Sequence, residues 1–82
     1  MFITEIEVKN RRIDPLTRDD CADVVFIAGE VVTRFLARAP RAASGLVLVK
    51  DAMRQLRRMP EFRSGQEKLG FAPLCLRGSF GN

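Results

Sequence analysis

The chain has 82 residues, 14 basic against 10 acidic side chains for a net charge of +4, two cysteines, and no histidine, tyrosine or tryptophan. That length allows one domain, which on folding buries only about 60 to 65% of the surface its unfolded chain exposes, so association with a second copy would relieve a marginal core. The inventory excludes a disulfide scaffold and any histidine-based metal or acid–base centre, and Cys21 and Cys75 fit a reducing, cytoplasmic compartment.

The amino terminus carries Glu5 and Glu7 where an export signal needs a basic start and an uninterrupted apolar centre. The longest apolar run, residues 24–29, is far short of a membrane span, so the expectation is a soluble protein without a membrane partner. Charge is segregated along the chain. Residues 1–30 hold four basic against seven acidic side chains, net −3, and residues 31–82 hold ten against three, net +7. Such asymmetry steers either self-assembly or capture of an anion.

Residues 2–9 alternate, with Phe2, Thr4, Ile6 and Val8 on one side and Ile3, Glu5, Glu7 and Lys9 on the other, which predicts a strand with one buried face. Its pairing partner is either the tail of the chain, where Pro73 limits the stretch from Phe71 to Leu76 to an edge, or the same strand of a second copy. Asn10 to Leu16 reads as a connector. Asp14-Pro15, or Thr17 with Asp20, would cap a first helix, and Asp19, Asp20 and Asp23 would lie near its positive end. From Cys21 the residues Val24, Val25, Ala28, Val31, Val32, Phe35 and Leu36 form an apolar stripe at helical spacing, opposite Asp23, Glu30 and Arg34. Phe26 and Ile27 fall outside that stripe and predict a second neighbour, such as another subunit. Gly29 reads as incidental.

Pro40 would end the first helix, and Ser44 would cap a second over Leu46 to Met59, stopped by Pro60. On that helix Leu46, Val49, Ala52, Met53, Leu56 and Met59 share one side, while Lys50, Arg54, Arg57 and Arg58 share the other, spaced so that like charges adjoin. Mutual repulsion of this kind asks for an anionic partner. Residues 61–82 show no periodicity, but Phe62, Phe71 and Phe80 recur nine apart beside glycines, as in an arm docking rings on a neighbour.

The expected fold is therefore mainly α (α+β): an N-terminal strand and an antiparallel two-helix hairpin over residues 1–60, then an irregular tail over 61–82. The chemistry-bearing inventory argues against an enzyme, a cofactor or a metal site. The acidic cluster is explained by helix capping, Cys21 lies on the apolar stripe, and no phosphate loop, nucleotide fingerprint or zinc pattern occurs. The expected function is a non-enzymatic, oligomeric binding protein. Arg41, Lys50, Arg54, Arg57 and Arg58 would face a nucleic acid, a nucleotide or an acidic protein surface, and Phe26, Ile27, Phe62, Phe71 and Phe80 would form a protein interface. The alternative is a protein-binding inhibitor or assembly subunit.

The order strand, helix, helix over residues 2–59 resembles the ribbon-helix-helix repressors, which implies paired strands laid in a DNA major groove. Glu5 and Glu7 on the strand's polar face depart from that use, because phosphates and most base edges repel them. The segment FLARAP, followed by a polar turn and LVLVKDAM over Phe35 to Met53, is similar to small phage proteins that sequester cyclic-nucleotide immune signals. That resemblance implies a phage anti-defence role in the host cytoplasm.

Overall fold

The computed structural model describes residues 1–73, and it corrects the expected fold class: the protein is mainly β, with a single helix longer than one turn among the described residues. Strands β1 (Phe2–Ile3), β2 (Glu5–Ile13), β3 (Asp20–Ala28) and β4 (Val31–Ala39) precede helix α1 (Gly45–Arg57), the short α2 (Pro60–Arg63) and β5 (Gly70–Phe71). Strands β2, β3 and β4 form an antiparallel sheet in that order, and β1 pairs in parallel with β5. The helical hairpin is absent, and with it the strand–helix–helix order on which the repressor resemblance rested.

The expected first helix is the β3–β4 hairpin. Its turn is Gly29-Glu30, between the paired residues Ala28 and Val31, and Gly29 adopts φ +62°, which glycine reaches without the steric cost borne by other residues. A positive φ at the first of two loop residues matches the twist of the flanking strands, so Gly29 specifies the fold here. Two periodicities overlap in residues 21–36. Ala22, Val24, Phe26 and Ala28 face inward with Phe35, Ala37 and Ala39, whereas Val25, Ile27, Val32 and Leu36 supply apolar side chains to the opposite face. Apolar residues on both faces blur the alternation and mimic a helical stripe. The density of β-branched residues favours the strand.

Asp19, Asp20 and Asp23 therefore cap no helix. Asp20 is buried and pairs with Arg11 at 3.4 Å, and Asp23 accepts a 2.9 Å bond from the Asn10 amide and lies 3.8 Å from Arg12. Asp14 organises the β2–β3 turn. Its carboxylate accepts the Leu16 and Thr17 N–H groups at 2.8 and 3.3 Å, and its carbonyl accepts the Arg18 N–H at 2.8 Å.

The N-terminal strand forms and pairs within the chain, with Glu5 to Lys9 running against Asp23 to Ile27. Two irregularities shape it. At Thr4 the chain passes from β1 to β2, so that Ile3 and Ile6 are both fully buried while Phe2 is exposed. Between Lys9 and Arg12 an extra residue makes a bulge, with Asn10 at φ +53°. Beyond Pro60, α2 and β5 bring Phe62, Leu69 and Phe71 onto the same core. Gly70 and Ala72 donate to the carbonyls of Met1 and Ile3 at 2.9 and 2.8 Å.

Helix α1 lies over β4 and the inner face of the sheet, closing a core of Ile3, Ile6, Ala22, Val24, Phe26, Ala37, Ala39, Leu48, Val49, Ala52 and Leu56. Ser44 stands at its N-cap, yet its hydroxyl makes no capping bond. Leu48 occupies the core, and Leu46, expected there, is exposed.

Candidate anion-binding face

Burial of Leu48, Val49, Ala52 and Leu56 fixes the rotation of α1 and turns Lys50, Arg54 and Arg57 to solvent. With the half-buried Met53 these three line a shallow concavity of about 300 Å³. The structure thus brings together three of the five cations expected to act as one surface. Arg58, the C-cap of α1, and Arg41, in the turn before it, are exposed but lie outside the concavity.

The three cations differ in what holds them. Arg54 donates to Asp51 at 3.0 Å across one helical turn, so part of its charge is answered locally. Arg54 and Arg57 sit in the last turn, where the helix's negative end already favours cations. Lys50 gains nothing from that end, and among the described residues neither Lys50 nor Arg57 has an ion-pair partner.

Asp51, to which sequence reasoning gave no role, is the hub between this helix and the sheet. Its carboxylate accepts the Arg38 backbone N–H at 3.0 Å and the Gln55 amide at 3.2 Å, and Gln55 also donates to the Leu36 carbonyl at 2.9 Å. Partial burial works against ionisation of Asp51, but the bonds from Arg38, Arg54 and Gln55 outweigh it and hold its pKa below the usual carboxylate value. Asp14 is lowered as well, by the Leu16 N–H, the Arg38 guanidinium at 2.9 Å and the Thr17 N–H. No sequence pattern could reveal Asp51 and Gln55 as strand clamps while residues 31–39 read as helix.

The residues expected to form a protein interface scatter. Phe26 is fully buried and stacks edge-on against Phe35, with ring centroids 6.1 Å apart, so it belongs to the core and not to a surface. Ile27 lies half-buried on the sheet's outer face, and Phe62 and Phe71 are half-buried against the core. Phe80 lies outside the described residues. Cys21 is buried and free, and among the described residues no group of three metal-ligating side chains comes together. No helix of the described residues is long and apolar enough to cross a membrane.

No family model matches the chain, and no curated protein or solved structure is significantly similar to it.

Proposed function

We propose that the protein is a small non-enzymatic binding protein whose α1 presents a basic face to a phosphate-bearing partner, a nucleic acid or a nucleotide. The observation that supports this reading is the convergence of Lys50, Arg54 and Arg57 around one concavity with Met53 as its apolar floor. Phosphate oxygens would meet two cations that lack an ion-pair partner among the described residues and one that is shared with Asp51. Among the described residues no aromatic ring lines the concavity, which favours contact with phosphate over stacking on bases.

The test is fluorescence anisotropy of a labelled single-stranded oligonucleotide titrated with the full chain at several salt concentrations, with a nucleoside triphosphate as competitor. Binding weakens as salt rises, and Lys50→Gln with Arg54→Gln and Arg57→Gln lowers the salt slope by about 2, since each single-strand phosphate contact contributes about 0.7. Binding that ignores salt, or that the triple replacement leaves intact, overturns the proposal.

A further inference from the structure

The three-stranded sheet has two edges, and the chain treats them differently. On the β2 side, the chain just ahead of the strand is already paired, β1 with β5, while along β2 itself the Lys9–Arg12 bulge and the charges of Lys9, Arg11 and Arg12 discourage pairing. On the β4 side, Ala28 and Val31 close a two-residue hairpin as a hydrogen-bonded pair, so the odd-numbered residues of β4 bond to β3 and the even-numbered ones point their N–H and C=O groups outward. α1 reaches only the far end of this edge, where Gln55 bonds the Leu36 carbonyl and Asp51 the Arg38 N–H. Both backbone groups of Val32 and of Arg34, and the N–H of Leu36, have no partner among the described residues.

The same stretch exposes apolar side chains: Val31 is 53% and Val32 62% exposed, and Leu36 45%. An open, apolar strand edge is a template for another strand.

We infer that the β4 edge pairs antiparallel with β4 of a second copy about a twofold axis through Thr33, giving a six-stranded sheet. Three features select this occupant and register. Pairing centred on Arg34 would set like charges opposite each other. Centring on Thr33 instead sets Val32 opposite Arg34 of the second copy, so four reciprocal backbone bonds use the open groups of both residues, and the Leu36 N–H faces Glu30 of the second copy. Overlap also ends where Gln55 already occupies the Leu36 carbonyl. On the inner face Val31 covers Phe35 of the second copy, and on the outer face Arg34 lies diagonal to Glu30, neither of which has an ion-pair partner within its own chain's described residues. A twofold axis perpendicular to the sheet leaves both α1 helices on one side.

Sedimentation of the full chain over a range of concentrations tests the inference independently of any anion binding, because it reads mass alone. The expected result is a reversible dimer of twice the 9.2 kDa chain mass. Arg34→Glu weakens it at least about tenfold, and adding Glu30→Arg to that variant restores it. Arg34→Pro, which removes an outward-pointing N–H together with the Arg34 charge and leaves the bonds between β4 and β3 in place, gives a monomer whose circular dichroism matches the parent. Thr33→Cys fixes the register: Thr33 of the two copies form a close, non-hydrogen-bonded pair, so mild oxidation of the variant joins the two introduced thiols in an intermolecular disulfide identified by peptide mass. A chain that stays monomeric at every concentration, a dimer that Arg34→Pro leaves intact, or a cross-link that fails to form in a dimer overturns the inference.

Discussion

The two halves of β4 are one strand in sequence and two environments in space. From Leu36 to Ala39 the strand is tied down: Ala37 and Ala39 are buried, Asp51 and Gln55 bond its outer edge, and the Arg38 guanidinium crosses to Asp14 at 2.9 Å. From Val31 to Arg34 no described residue of the same copy bonds the outer edge, and the pairing with β3 and the packing of the neighbouring Phe35 ring anchor the strand. One helix makes the difference. Its four-residue spacing lets Asp51 and Gln55 reach one stretch of backbone, and the stretch before it is left as a template.

Removing the helix's anchor should erase that difference, and it carries the largest expected effect. Leu56 is fully buried, and Leu56→Ala costs about 2 to 5 kcal/mol, out of a total stability of about 4 to 12 kcal/mol for a chain of this length. Chemical denaturation measures the loss. At concentrations where the chain is a monomer, amide exchange localises it, because the Arg38 N–H, protected by Asp51, should approach the exchange rate of the Arg34 N–H. If Arg38 stays protected in that variant, α1 is not what secures the strand's far end.

How far the sequence could show this division depends on the residues concerned. α1 was readable because Val49, Ala52, Met53 and Leu56 recur at helical spacing between a serine and a proline, and tertiary packing does not override so long a pattern. The exposed cations Lys50, Arg54 and Arg57 followed directly from its rotation. β2 was readable from Ile6 and Val8 against Glu5 and Glu7, but Asn10 at the bulge looked like an ordinary connector residue because its left-handed backbone leaves no mark on spacing. The β3–β4 hairpin was hidden by Val25, Ile27, Val32 and Leu36, which put apolar side chains on the outer face and so erased the period of two. Phe26 and Ile27, which fitted no helical stripe, and Gly29 between two β-branched runs were the residues that pointed to strands. Asp51 and Gln55 had meaning only once β4 existed beside them.

A smaller effect isolates the clamp. Asp51→Ala removes the acceptor of the Arg38 N–H and costs about 0.5 to 1.5 kcal/mol. The same residue shapes the acid response. Its folded pKa is lowered, so its contribution is fully present above the unfolded value of about 3.9 and is lost as pH falls below that value through the folded one. Asp14 behaves alike. Stability of the parent chain followed by denaturation should therefore fall below about pH 4, and the Asp51→Ala variant should fall less steeply while keeping the part due to Asp14. An unchanged acid slope in the variant would mean that the Arg38 bond does not depend on the charge of Asp51.

The smallest effect belongs to the bare half. Val32 points to the outer face, opposite Ile27, and is 62% exposed. Threonine keeps the β-branched shape that strands favour and exchanges one methyl for a hydroxyl that water can solvate. At concentrations where the chain is a monomer, Val32→Thr should change stability by no more than about 0.5 kcal/mol, read as a shift in the denaturation midpoint. Val32 is largely exposed, so little is lost with one of its methyls. A cost near that of Leu56→Ala would show that the outer face of β4 is covered even in a single copy, and the contrast between the two halves of the strand would then lie in which neighbour covers each.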